Sequence, residues 1–153
     1  MNGKHKYGSK GKSFQIFLVD DDTEDQEFFI DALSATGESV ELSIFDSGTQ
    51  LFDAISNTVK KPDMIYIDLH MPLMDGEECL KVLRKDDSLK AVPVIIYSTA
   101  LDLDKIGELF SMGANRYLRK PNSFNSLVAS LSATISSLKR NALGGNAVIN
   151  IDA

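Results

Sequence analysis

The sequence predicts an α/β fold built around a doubly wound parallel sheet, and three observations lead to this class. Short apolar runs and amphipathic stretches alternate five times along the chain. The runs are nearly continuous in apolar residues, which is typical of strands buried on both faces. Residues that start and stop helices separate the runs. Repeated strand–helix alternation implies right-handed crossovers, a parallel sheet and helices on both of its faces.

The individual elements follow from these runs and from the residues between them. The predicted strands occupy residues 14–19, 40–45, 64–67, 92–97 and 117–118. Thr23 is interpreted as the N-cap of the first helix, with Gln26 completing a capping box and Gly37 ending the helix. Later helices are bounded by further capping or stop residues, namely Ser47, Asp75, Gly113 and Ser123.

The length of 153 residues suits one domain, and the 43% hydrophobic content suits a single packed core. We expect the domain to span residues 14–140. Residues 1–13 are expected to form a basic flexible tail, and residues 141–153 a C-terminal tail with a weakly strand-like tip.

Composition and charge limit the classes of partner and location. Four lysines and no acid lie in residues 1–12, whereas the whole chain carries −6, so the domain itself is strongly acidic. An acidic body argues against nucleic-acid binding, which needs clustered basic residues.

No apolar stretch approaches the ~20 residues of a membrane span, and the start lacks the apolar core of a signal peptide. The single cysteine, Cys79, is expected to be a buried hydrophobic residue. These features predict a cytoplasmic protein.

Polar residues follow the predicted strands at their carboxyl ends, where a doubly wound sheet places its functional site. The first strand is followed by the acids 20–22 and the third ends at Asp68. The fourth strand ends at Ser98 and the fifth at Lys120. Carboxylates, a hydroxyl and one ammonium are therefore expected at the same edge of the sheet.

The acids and the lysine can each be interpreted either as functional residues or as ordinary structural ones. Clustered carboxylates repel each other unless a cation offsets them, and oxygen ligands suit Mg²⁺. The acids 20–22 alone equally fit a polar turn at a helix start, but Asp68 on a neighbouring strand favours the metal. An aspartate can also accept a phosphoryl group, with a metal and a lysine neutralising the developing charge. Lys120 and Ser98 fit this chemistry together, although singly Lys120 could be a surface lysine and Ser98 an ordinary hydroxyl at a strand end.

Four ordered segments resemble the signature segments of bacterial response-regulator receiver domains of two-component systems. Their sequences are Phe-Leu-Val-Asp-Asp-Asp at 17–22, Met-Ile-Tyr-Ile-Asp-Leu-His-Met-Pro-Leu-Met-Asp-Gly at 64–76, Pro-Val-Ile-Ile-Tyr-Ser-Thr-Ala at 93–100 and Arg-Lys-Pro at 119–121. The resemblance covers about residues 14–138. It implies a flavodoxin-like receiver fold with five helices and five parallel strands in the order 2-1-3-4-5.

The resemblance also implies a role for individual residues. Asp68 would be the phosphoacceptor, and Asp20 and Asp21 the acidic pair that binds Mg²⁺ together with Asp68. Ser98 would be the switch hydroxyl and Lys120 the phosphate-binding lysine. Two further implications are that Tyr117 changes rotamer on activation and that a cis peptide bond joins Lys120 to Pro121.

Two positions depart from the family pattern. His70 stands where asparagine is frequent, and the resemblance implies that its backbone carbonyl still binds the metal. Its imidazole could alter the lifetime of the acyl phosphate. Thr99 stands where alanine or glycine is common, and its branched side chain is expected to narrow access to the phosphoryl group.

The sequence therefore predicts a single-domain response regulator that takes a phosphoryl group from a histidine kinase or a phosphotransfer protein. It would catalyse only its own phosphorylation and dephosphorylation, and it would signal through protein contacts, because no effector domain follows Arg140. A homodimer through the face of the fourth helix, fifth strand and fifth helix is a further expectation.

Two alternatives remain. The first is a metal-dependent phosphohydrolase with an aspartate nucleophile, although His70 stands where a second aspartate would be expected. The second is a degenerate receiver that only binds partners, although such a domain would usually have lost one of the site residues.

Overall fold

The computed structural model describes residues 3–6, 13–57, 61–141 and 147–151. Its strands are β1 (Gly3–Lys6), β2 (Phe14–Val19), β3 (Val40–Phe45), β4 (Met64–Asp68), β5 (Val94–Ser98), β6 (Arg116–Arg119) and β7 (Ala147–Ile149). Its helices are α1 (Thr23–Ala35), α2 (Gly48–Ser56), α3 (Gly76–Lys85), α4 (Leu103–Ser111) and α5 (Phe124–Asn141), with a 3₁₀ turn at Asp87–Leu89.

The predicted doubly wound fold is confirmed. The sheet has the order β1-β3-β2-β4-β5-β6-β7, and its five central strands are parallel. Counted among themselves, these five strands have the predicted order 2-1-3-4-5. The β4 and β5 strands are buried at every position, as nearly continuous apolar runs predict.

The predicted number of strands is wrong, because the described sheet has seven. β1 pairs antiparallel with the β3 edge, and Lys4 adds an ion pair to Glu41 at 2.7 Å. β7 pairs parallel with β6 at the other edge. Both strands are short and lie in the segments predicted as tails. β1 has no apolar alternation, so its strand conformation depends on pairing with a neighbour and not on its own sequence. The division into one domain and two tails stays a prediction.

Two apolar cores lie on opposite faces of the sheet, since successive strand residues point to opposite sides. Tyr66 packs in the core beneath α1 and α5, whereas its neighbours Ile65 and Ile67 pack in the core beneath α2, α3 and α4. Cys79 is fully buried in the second core, as predicted, and burial raises the pKa of its thiol to about 12.

The helix boundaries largely follow the predicted caps. Ser47 and Asp75 accept backbone hydrogen bonds as N-caps, and Gly37 and Gly113 adopt positive φ after α1 and α4. The predicted cap of α1 is wrong by one residue. Asp22 and not Thr23 is the cap, because the Asp22 carboxylate accepts from the Asp25 N–H.

Within the described ranges, no helix is long and apolar enough to cross a lipid bilayer.

Candidate functional site

The acids after β2 and β4 meet at the carboxyl edge of the sheet. Val19 lies opposite Ile67 in the parallel register, so the residues that follow the two strands are neighbours. Each of Asp20, Asp21 and Asp68 has a carboxylate oxygen, and these oxygens lie within 4.8 Å of one another. Asp20 and Asp68 are buried, whereas Asp21 is exposed. The structure thus brings together the three predicted acids.

The loops around these acids are held by hydrogen bonds to the backbone. Asp20 accepts from the Asp22 N–H at 3.0 Å, and Asp68 accepts from the His70 N–H at 3.1 Å. The Gln26 side chain donates to the Asp20 carbonyl at 2.6 Å. These bonds use the carboxylates as acceptors from two loop amides and thereby fix their orientation.

Gly76 allows α3 to begin directly against the backbone that follows the phosphoacceptor candidate. A Cβ atom at Gly76 would lie 2.6 Å from the Asp68 carbonyl oxygen and 2.8 Å from the Leu69 Cα. Any side chain would therefore push this backbone away. The glycine of the 64–76 segment is a packing requirement of the site.

Lys120 extends into the acidic cluster, and its side chain is only 10% exposed. Its Nζ lies 3.3 Å from Asp20 Oδ2 and 3.3 Å from Asp68 Oδ2. Lys120 is thus not an ordinary surface lysine. The Lys120–Pro121 peptide bond is trans, so the expectation of a cis bond is wrong. Trans is the lower-energy form of the bond, and the ammonium reaches Asp68 with it.

The pKa values of Asp20 and Lys120 are both raised, but for different physical reasons. Burial raises the pKa of Asp20 to about 7, although the Asp22 N–H and Lys120 oppose the rise. Burial alone would lower the pKa of Lys120, but a hydrogen bond to Asp25 and the charges of Asp20 and Asp68 raise it to about 12. Burial thus favours the neutral form of Asp20, whereas the neighbouring acids favour the charged form of Lys120.

Ser98 and Tyr117 hold the same residue, Ala100, in the loop after β5. The Ala100 N–H donates to Ser98 Oγ at 3.2 Å, and the Tyr117 hydroxyl donates to the Ala100 carbonyl at 2.6 Å. Both side chains are almost fully buried. The two predicted switch residues are thus joined through one residue of backbone. Thr99, which lies between Ser98 and Ala100 in the sequence, is exposed.

The family model for the response regulator receiver domain matches residues 16–132, which is most of the chain. The chain belongs to the response regulator receiver domains. Receiver domains are signalling phosphoacceptors of two-component systems, and they bind Mg²⁺ at an acidic pocket. The phosphohydrolase alternative is not favoured by these matches.

Relatives of this receiver domain differ in length. The DNA-binding transcriptional regulator NtrC of Klebsiella pneumoniae is 34% identical over 134 residues, covering 88% of this chain but 27% of NtrC. The chain thus spans about a quarter of that relative. A probable methanogenesis regulatory protein, FilR2, of Methanothrix harundinacea is 28% identical, and the match covers 87% of this chain and 86% of FilR2.

The fold of this receiver domain matches solved structures over most of its length. The phosphorylated cyanobacterial phytochrome response regulator RcpA superposes with a TM-score of 0.75 at 25% identity. The superposition covers 86% of this chain and 96% of RcpA.

The acid cluster of the receiver domain fits a hard divalent cation. It supplies carboxylate oxygens, which Mg²⁺ prefers, and two of the three side chains are already desolvated and oriented. The His70 N–H binds Asp68, so the His70 backbone lies beside the cluster. Its carbonyl as a metal ligand stays a prediction.

Sequence reasoning missed two residues that contact Lys120. Asp25 Oδ2 lies 2.8 Å from its Nζ, and the Tyr97 ring centroid lies 4.7 Å from the same atom. Asp25 was indistinguishable in sequence from any acid in the first turn of a helix, where acids are common. Tyr97 lies in an apolar run and gave no signal beyond strand burial.

Proposed function

We propose that this chain is a response-regulator receiver domain in which Asp68 accepts a phosphoryl group from a histidine kinase or a phosphotransfer protein. The observation that carries the proposal is the position of Lys120 Nζ, 3.3 Å from Asp68 Oδ2 and 3.3 Å from Asp20 Oδ2. A positive charge thus lies beside a buried nucleophile and a group of carboxylates suited to Mg²⁺.

In the proposed reaction, an Asp68 oxygen attacks the phosphorus of a phosphohistidine. The new O–P bond forms as the P–N bond breaks, and the electron pair returns to the imidazole nitrogen. Lys120 neutralises part of the charge on the phosphoryl oxygens, and the His70 N–H holds Asp68 in place. Bound Mg²⁺, held by Asp20, Asp21 and Asp68, would supply the remaining positive charge. The chain would act on itself alone and would not turn over external substrates.

Output is proposed to leave through the face formed by α4, β6 and α5, towards a protein partner or a second copy of the chain. Ser98 Oγ accepts from the Ala100 N–H, and its own proton can be donated to a phosphoryl oxygen, which would draw the side chain towards Asp68. Moving Ser98 would free the Ala100 loop that Tyr117 also holds.

We place the protein in the cytoplasm, consistent with a single, buried cysteine.

Acetyl phosphate with Mg²⁺ is expected to add a single phosphoryl group to the protein, on Asp68, as an acyl phosphate that hydroxylamine cleaves. Intact-protein mass spectrometry measures the addition. Asp68→Asn should remove it, because the amide is not a nucleophile for phosphorus. Asp87→Asn, in the exposed 3₁₀ turn, should leave it unchanged. Labelling that persists in Asp68→Asn overturns the proposal, and repeated release of phosphate from an external phosphomonoester would favour the phosphohydrolase.

Beryllofluoride, which mimics the phosphoryl group, is expected to shift amide resonances of residues 98–100 and 117 as well as those near Asp68. In Ser98→Ala the shifts near Asp68 should persist, whereas those at residues 100 and 117 should shrink, because Ser98 no longer couples them. Two-dimensional amide NMR measures both sets. Unchanged shifts at residue 117 in Ser98→Ala would rule out this route of transmission.

A further inference from the structure

Lys120 has a carboxylate partner that does not come from a strand end. Among the ion pairs of the described residues, its shortest is to Asp25 Oδ2, at 2.8 Å, and the pairs to Asp20 and Asp68 are each 3.3 Å. Asp25 lies in the first turn of α1, 95 positions away in sequence. The Tyr97 ring lies 4.7 Å from the ammonium and packs edge-to-face against Phe29 in the core.

Phosphorylation would change the charges of the three carboxylates around Lys120 in different ways. Asp20 and Asp68 belong to the group of acids whose oxygens lie close enough to share a cation, and Asp25 does not. When Asp68 becomes an acyl phosphate, its carboxylate charge is replaced by the charge of the phosphoryl oxygens, and the Asp20 carboxylate would be shared with bound Mg²⁺. Asp25 alone of the three carboxylates keeps its full charge for the ammonium.

From these contacts we propose that Asp25 is a positioning residue for Lys120. It holds the ammonium beside Asp68 before, during and after phosphoryl transfer, while the Tyr97 ring supports the ammonium from the core side. The inference rests on the proposed function for its consequence in catalysis. The contact geometry itself does not depend on that function.

The geometry favours positioning over withdrawal of the lysine from the site. Lys120 Nζ contacts Asp25 and Asp68 from the same position, so the pair with Asp25 does not draw the ammonium away from the nucleophile. Asp25 is partly exposed, with 42% of its side chain accessible, so its carboxylate is not itself committed to the buried cluster. An ion pair anchored on a helix and an aromatic ring restricts a long, flexible side chain to one position.

The test compares Asp25→Ala, Asp25→Asn and the matched control Glu24→Ala by their rates of labelling with acetyl phosphate and Mg²⁺. Glu24 is the exposed neighbour in the same turn, so its removal makes the same change in net charge and helix-end charge. We expect Asp25→Ala to be about tenfold slower than the wild type, the effect of losing one charge-assisted hydrogen bond. Asp25→Asn, which keeps an acceptor oxygen, should be intermediate, and Glu24→Ala should match the wild type.

A double-mutant cycle separates positioning from a structural effect. In a Lys120→Ala background, Asp25→Ala should cause no further slowing, because the residue it positions is absent. Equal slowing in both backgrounds, or a faster Asp25→Ala single variant, overturns the inference.

A second measurement distinguishes failure of the inference from failure of the proposed function. ¹⁵N relaxation of the Lys120 side chain, with Mg²⁺ present, should show an ordered ammonium in the wild type and in Glu24→Ala and a mobile one in Asp25→Ala. If the Lys120 ammonium is as ordered in Asp25→Ala as in the wild type, positioning is contradicted even if that variant is labelled slowly. If the wild type is never labelled, the proposed function fails, and the relaxation data still decide whether Asp25 positions Lys120.

Discussion

Replacing Asp20 with asparagine is expected to raise the melting temperature of the metal-free protein at pH 8 by about 5 °C while weakening Mg²⁺ binding more than about tenfold. Asp20 is fully buried, and its burial raises the pKa of its carboxyl to about 7. Ionising it in the folded state is therefore costly without a cation. Asparagine keeps an oxygen acceptor for the Asp22 N–H but removes the charge.

The pH dependence of this gain has a definite sign. The folded pKa of Asp20 lies above its unfolded value of 3.8, so between about pH 4 and pH 7 the folded state holds a proton that the unfolded state releases. The wild type therefore loses stability as pH rises through this window. The advantage of Asp20→Asn should be small at pH 4 and complete above pH 7.

Thermal unfolding in EDTA at several pH values, followed by Mg²⁺ titration, measures both effects. Asp21→Asn is the matched control, because Asp21 belongs to the same group of acids but is exposed. It should weaken Mg²⁺ binding without the gain in stability. An Asp20→Asn protein that is no more stable than the wild type at pH 8 would show that Lys120 already compensates the buried charge.

Arg84→Met is expected to lower the free energy of unfolding by about 3 kcal/mol, the largest stability loss that we predict. The Arg84 guanidinium donates to the carbonyls of Gly113, Leu89 and Val92 at 2.9 to 3.2 Å. It also donates to Asn115 Oδ1, which in turn accepts from the β5 backbone. Methionine keeps the apolar stem but removes all of these bonds. The Leu89 carbonyl and Asn115 Oδ1 then retain only their backbone donors.

Denaturant unfolding of Arg84→Met, Arg84→Lys and Lys85→Met tests this expectation. Arg84→Lys should recover only part of the loss, because an ammonium cannot reproduce the planar fork of donors. Lys85→Met changes an exposed residue next in the chain and should be nearly neutral. If Arg84→Met lowers the free energy of unfolding no more than Lys85→Met does, these hydrogen bonds do not stabilise the fold as proposed.

Much of the candidate site could be predicted from the sequence, because parallel strands deliver their carboxyl ends to one edge. Once the apolar run before Asp68 was interpreted as a strand, its position near the first strand followed from topology. The residues that the structure adds come from elsewhere. Asp25 reaches Lys120 from a helix, and Arg84 joins loops that are distant in sequence. Nothing in a local pattern distinguishes such long-range partners from solvated charges.

The errors in the predicted fold also arise from contacts between residues that are distant in sequence. Thr23 and Asp22 are both good N-caps, and only the path of the chain after β2 decides between them. β1 became a strand through its pairing with β3 and not through its own propensity. Local sequence thus specified the core elements, which are apolar and periodic, and left open those that depend on a neighbour for their hydrogen bonds.

The two outermost strands have a consequence for how this molecule behaves at high concentration. Without a further strand, the outer sides of β3 and β6 would present unpaired backbone groups on which another chain could add a strand. β1 and β7 cover them, and the outer strands are themselves only four and three residues long. Two lysines, Lys4 and Lys6, lie in β1, and charged, short edge strands are poor substrates for growth of an intermolecular sheet. We therefore expect β1 and β7 to make association of two molecules through the edges of their sheets less favourable.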